Sequence, residues 1–138
     1  MAEPPVELLQ RVPLFSELDR RELERLARSF KERSYSAGDT VAAEGAGGVG
    51  FFVIADGQAR VSVHGDQRGT LGPGDYFGEL ALIDQGERTA TVTAESDLRC
   101  FGLTPWEFRP LVETNAAIAW KLVQATAKRL RDAEQRGT

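Results

Sequence analysis

The chain has 138 residues, of which 41% are hydrophobic and 28% charged, with a formal net charge of −4 and a single cysteine, Cys100. This length buries one core but not two, and the composition is that of a folded globular domain rather than a disordered chain. An acidic balance does not gather nucleic acid, runs such as Phe51 to Ala55 are too short to cross a bilayer, no signal-peptide pattern opens the chain, and one cysteine makes no internal disulfide.

In chain order, Pro4 and Pro5 mark a loose start and Val6–Val12 suits a short helix that Pro13 interrupts. Asp19 with Glu22 three residues on has the spacing of a capping box, and Leu23, Leu26 and Phe30 give the stripe of a helix ending near Lys31. Helical structure is therefore expected over 6–31. From Ser34 onward, short β-branched and aromatic stretches alternate with Gly-Asp, Asp-Gly and Gly-Pro-Gly punctuation, the pattern of an all-β unit. Strands are expected near Arg33–Ser36, Thr40–Ala43, Phe51–Ala55, Gln58–Val63, Arg68–Leu71, Thr89–Ala94 and Asp97–Leu103, with tight turns at Asp56-Gly57 and Gly65-Asp66. The glycine-rich 45–50 stretch reads as a mobile surface loop.

Thr104-Pro105-Trp106-Glu107 combines a cap residue, a proline at the first helical position and a glutamate at the third, and predicts a helix to about Glu113. A longer helix is expected from Asn115 to roughly Glu134, with Ala119, Leu122, Val123, Thr126, Leu130 and Ala133 on one stripe. Burial of that stripe against the β-unit is the first expectation, and a partner helix docked there to give a homodimer is the second. Arg129, Arg131 and Arg136 alternate with Asp132 and Glu134, as on a solvated helix face.

Chemistry concentrates in Phe77-Gly78-Glu79-Leu80-Ala81-Leu82-Ile83, followed after a turn at 84–87 by Arg88-Thr89-Ala90-Thr91-Val92. A glycine entering a short helical turn lets backbone approach a ligand, and the first N–H groups of that turn attract anions, so 78–81 suits a phosphate. Glu79 is poorly placed for phosphate but suited to accept from a neutral diol such as a ribose offers, while Arg88 supplies a planar fork of donors for phosphate oxygens. Together they describe a singly charged sugar phosphate. The plainer reading is that Glu79 and Arg88 pair with each other as a surface ion bridge, an arrangement worth little. It leaves unexplained why a glycine, a short apolar turn and a threonine fall in the same window.

Phe-Gly-Glu-Leu-Ala-Leu followed by Arg-Thr-Ala-Thr-Val resembles the phosphate-binding cassette of the cyclic-nucleotide-binding domain family, which includes bacterial catabolite activators, kinase regulatory subunits and nucleotide-gated channels. The resemblance runs from Val12-Pro13-Leu14-Phe15 through Gly38-Asp39 and Gly72-Pro73-Gly74-Asp75 to the final helix. It implies an α+β, mainly β fold: an antiparallel β-roll or jelly-roll barrel over 33–103, the cassette at 77–92, and C-terminal helices over 104–134. It implies that Glu79 binds the ribose 2′-hydroxyl and Arg88 the cyclic phosphate, with backbone groups of Gly78, Leu80 and Ala81 and the Thr89 hydroxyl or amide completing the cradle. Leu82 and Ile83 would pack behind it. The ligand-contact set is thus Phe77, Gly78, Glu79, Leu80, Ala81, Arg88, Thr89 and Ala90. Catabolite activators place hydroxyl residues late in the final helix to hold adenine, where this chain has Ala133 and Glu134, and a threonine directly after the arginine favours guanine in some members. The expected ligand is cAMP, with cGMP as the competitor.

Elsewhere, His64 is the one histidine and reads as a strand-end residue, so no metal site is expected, and Cys100 reads as core rather than nucleophile. The chain stops near Thr138 without room for a helix-turn-helix, so the expected unit is a stand-alone sensor, cytoplasmic and not an enzyme, with its output in an unknown effector protein or a parent polypeptide. The alternative is a ligand-free β-roll that serves as an interaction or dimerisation scaffold.

Overall fold

In the computed structural model, residues 3–43, 50–79, 81–84 and 90–137 are described. A short helix α1 (Val6–Gln10) leads into a 3-10 turn at Pro13–Phe15, then α2 (Arg20–Ala27). Eight strands follow: β1 (Lys31–Tyr35), β2 (Thr40–Ala42), β3 (Phe51–Asp56), β4 (Ala59–Val63), β5 (Asp66–Leu71), β6 (Tyr76–Phe77), β7 (Thr91–Ala94) and β8 (Leu98–Leu103). A one-turn helix α3 (Ala81–Asp84) lies between β6 and β7, and α4 (Pro105–Glu113) and α5 (Ala116–Gly137) end the chain.

The strands form two four-stranded antiparallel sheets, ordered β1-β8-β3-β6 and β2-β7-β4-β5. This is the expected β-roll with flanking helices, built as two packed sheets rather than a closed barrel. β3 shows why the apolar run at 51–55 is continuous, since side chains alternate between faces and both of its faces are covered. Phe51 and Val53 join a core shared with the helices, where Phe15 and Phe30 meet the Phe51 ring edge-on at 5.7 and 5.9 Å. Ile54 points the other way, into a second cluster between the sheets with Ala59, Val92, Ala94 and Leu98.

Both capping boxes form. Asp19 accepts from the Glu22 N–H at 2.9 Å while Glu22 accepts from the Asp19 N–H at 2.9 Å, and Thr104 and Glu107 repeat the exchange at the start of α4. Several expected boundaries shift. The first helix ends at Gln10 rather than Val12, with a 3-10 turn where Pro13 breaks the helix, and α2 ends at Ala27, so β1 begins at Lys31 rather than Arg33. The hairpin turn is His64-Gly65, one residue earlier than expected, because Val63 pairs with Asp66 and the two loop residues carry φ of 52° and 82°. Asp56-Gly57 is no hairpin: the chain there leaves one sheet for the other, and a Cβ at Gly57 (φ 97°) would collide with the carbonyl oxygen of Asp97. The expected loop at 45–50 lies outside the described residues except for Gly50.

The stripe expected to bury α5 holds at Leu122 and is otherwise corrected. The buried residues of that helix are Ile118, Leu122 and Ala125, whereas Val123 and Leu130 are more than half exposed. Ala119, Val123, Thr126 and Leu130 instead face an open groove of about 620 Å³ shared with Leu82, Ile83, Phe108 and Val112. Among the described residues, no helix is long and apolar enough to cross a membrane.

Candidate functional site

The site begins where β6 ends. Tyr76 and Phe77 pair with Val53 and Phe52 of β3, and the Phe77 ring stacks on Phe52 with centroids 5.2 Å apart, which fixes the backbone before the turn. Gly78 then takes a φ of 84°, a left-handed conformation that a side chain disfavours, and turns the chain off the sheet. The Leu82 N–H donates to the Glu79 carbonyl at 3.2 Å, starting the short α3 turn. Leu82, 3% exposed, anchors that turn in the helical core, as expected, but Ile83 does not pack behind the site and is 53% exposed.

This geometry points the Glu79 side chain inward, where it is only 12% exposed. Its Oε1 accepts a hydrogen bond from Arg129 Nη2 of α5 at 3.1 Å. Arg129 is thus a half-buried partner of the site and not part of a solvated face, while Arg131 and Arg136 are exposed as read. A buried carboxylate is costly without a compensating partner, and the guanidinium supplies one. The Tyr76 phenol lies in the same field: burial raises its pKa above the ordinary tyrosine value, the Glu79 charge pushes the same way, and Arg129 opposes.

Of the expected contact set, Phe77, Gly78, Glu79 and the backbone of Ala81 come together at this turn, and Ala90 lies half-buried just before β7. Leu80, Arg88 and Thr89 lie outside the described residues, so the proposed Glu79–Arg88 pairing does as well. The sequence reading missed β6 and Arg129. The signal for Arg129 was the stripe 118, 122, 125, 129, whose 4-3-4 spacing places this arginine on the face that buries Ile118, Leu122 and Ala125. Away from the site, Cys100 is fully buried and its thiol is pushed up to about 11, first by burial, which makes it unreactive at neutral pH. Among the described residues, no cluster of His, Cys, Asp or Glu is placed to hold a metal ion.

Comparison with known proteins fits this architecture. A family model for the cyclic nucleotide-binding domain matches residues 32–115. The cyclic AMP receptor protein of Thermus thermophilus is 32% identical over 127 residues, covering 88% of this chain and 59% of that protein. A cAMP-dependent protein kinase regulatory subunit of Schizosaccharomyces pombe is 42% identical over 95 residues, 67% of this chain and 23% of that protein. The chain therefore spans less than two thirds of either relative. The N-terminal domain of a transcriptional regulator from Streptomyces coelicolor superposes with a TM-score of 0.87 at 31% identity, covering 93% of this chain and 95% of that one. With a family match across most of the β-roll and a near-complete structural counterpart, the chain belongs to the cyclic nucleotide-binding domain family.

Proposed function

We propose that this domain is a cAMP sensor that repositions its C-terminal helices on ligand binding, a regulatory module and not an enzyme. The observation that carries the reading is the Glu79 carboxylate, held inward at the cassette turn just after the positive-φ Gly78, within a chain of this family. A buried acceptor suits the 2′-hydroxyl of a ribose and is wrong for phosphate. In this reading Arg88 pairs with the cyclic phosphate, and backbone groups of Gly78, Leu80 and Ala81 complete the cradle with Thr89, flanked by Phe77 and Ala90. The names of the Thermus and fission-yeast relatives favour cAMP over cGMP. The described site holds no resident cofactor in this proposal: the cyclic nucleotide is a ligand, the compartment is the cytoplasm, and an effector protein takes the output. Ligand can shift the helices only by preferring one arrangement over another. The hydrogen bond from α5 to Glu79 is a physical route for such a preference.

The test is titration calorimetry on protein stripped of nucleotide by unfolding and refolding, with cAMP and then cGMP as titrants. Saturable binding, stronger for cAMP, is expected. In Arg88→Ala it should fall by about thirtyfold to several thousandfold, the range for truncating one member of a desolvated charged pair. Silence with both nucleotides overturns the sensor reading in favour of the scaffold. Equal protection of the α4–α5 junction in hydrogen exchange with and without cAMP overturns the helix movement alone.

A further inference from the structure

Among the described residues, every large hydrophobic side chain that is more than half exposed stands on α3, α4 or α5, and none on the strands. Single exposed apolar residues are ordinary, but a contiguous patch marks an interaction surface. Ile83, Val123 and Leu130 share the groove of about 620 Å³ beside α5. The polar groups there are already engaged: the Thr126 hydroxyl donates to the Leu122 carbonyl at 2.8 Å, and Arg109 pairs with Glu113 at 3.2 Å. An occupant therefore has to present aliphatic carbon to the groove. Ala127 lines this groove and also a smaller hollow of about 280 Å³ that contains Lys128 and Arg131. Neither cation has an ion-pair partner among the described residues. Trp120, 63% exposed, lies four residues before Gln124 of the hollow and seven before Ala127, on the same helix face.

We infer that the groove and the hollow together form a docking surface for an amphipathic helix of a partner protein, with aliphatic anchors for the groove and an acidic flank for Lys128 and Arg131. The α5 wall from Ala119 to Leu130 is about 16 Å long at 1.5 Å per residue, which matches three turns of such a helix. Uncompensated cations beside an apolar groove select an acidic flank by charge complementarity. Exposed tryptophan and arginine are the side chains that most often anchor protein interfaces. A second copy of α5 fits less well. Val123 and Leu130 are the only large apolar members of its repeat with Ala119 and Thr126, which falls short of the three to four heptads of a self-pairing helix.

The experiment titrates the full chain into a fluorescent amphipathic peptide of about sixteen residues, with leucine at i, i+3, i+7 and i+10 and glutamate on the flanking positions, read by anisotropy. A second peptide carries lysine in place of glutamate, and sedimentation velocity reports the oligomeric state. Saturable binding of the glutamate peptide to a monomer is expected, with the lysine peptide at least about tenfold weaker. Leu130→Glu should weaken the glutamate peptide at least about tenfold, and the double reversal Lys128→Glu with Arg131→Glu should weaken it about tenfold while tightening the lysine peptide. Both variants keep good helix formers at exposed positions, so they should fold. No saturable binding of the glutamate peptide, equal binding of both peptides to wild type, or binding unmoved by either variant overturns the inference. A wild-type dimer that Leu130→Glu dissociates gives the groove to a second copy and overturns it as well. No arm contains nucleotide, so failure here leaves the sensor reading standing.

Discussion

The two halves of α5 are held by different physics. In the first half Ile118, Leu122 and Ala125 are each at most 5% exposed, and Lys121 Nζ donates to Glu22 of α2 at 2.6 Å. In the second half, residues 126–137 are exposed apart from Arg129, whose described anchor is Glu79. Burial is non-directional and grows with the area removed from water, and it is what holds the first half to the core. A single ion pair contributes far less to stability, and here its acceptor belongs to the candidate ribose site. The comparison teaches that stability and ligand response should separate along one continuous helix.

The largest test of that separation is Leu122→Ala, which should lower unfolding free energy by about 2–4 kcal/mol in denaturant melts through the cavity it leaves. A loss under about 0.5 kcal/mol would mean that the first half is not anchored by burial. Next is the start of α4, which leads into α5. Thr104→Ala removes the N-cap and should cost about 1 kcal/mol. Burial pushes the Glu107 carboxyl up, but hydrogen bonds from Thr104 and the charge of Lys31 outweigh it and hold it below the usual carboxylate value. The folded state then binds fewer protons than the unfolded state, so this stability is present above the ordinary carboxylate range and fades as pH falls through the lowered value. Glu107→Gln should flatten that part of the acid-denaturation curve, and an unchanged curve would remove Glu107 from the account.

Lys121→Met should give a smaller fall in thermal midpoint that shrinks as salt is added, since the pair it breaks with Glu22 is electrostatic. A salt-independent fall would point to lost packing of the lysine stem instead. The smallest effect belongs to the second half: Leu130→Ala, at a side chain 61% exposed, should stay within about 0.5 kcal/mol of wild type. A larger loss would show that the distal half carries stability of its own and would collapse the contrast.

Much of this molecule was legible from its residues, for a reason visible in the individual cases. Asp19 and Glu22, like Thr104 and Glu107, exchange hydrogen bonds across three residues, so the motif contains its own partners. The positive φ of Gly78 and the inward Glu79 follow from a local turn in the same way. β6 was not legible, because a two-residue strand has no period and exists only through its pairing with β3. Nor was the direction of Asp56-Gly57, a turn signal compatible with a hairpin until the chain is seen to change sheets.

The buried face of α5 shows the same limit. The stripes 119-122-123-126-130-133 and 118-122-125 both satisfy helical spacing, and the packing of α5 on the 3-10 turn selected the second. By itself the sequence determined the family, the helix starts and the cassette turn, all set by interactions within a few residues. Tertiary structure alone decided the sheet partners, the buried face of α5 and the meeting of Arg129 with Glu79, because each joins groups whose proximity exists only once the core has packed.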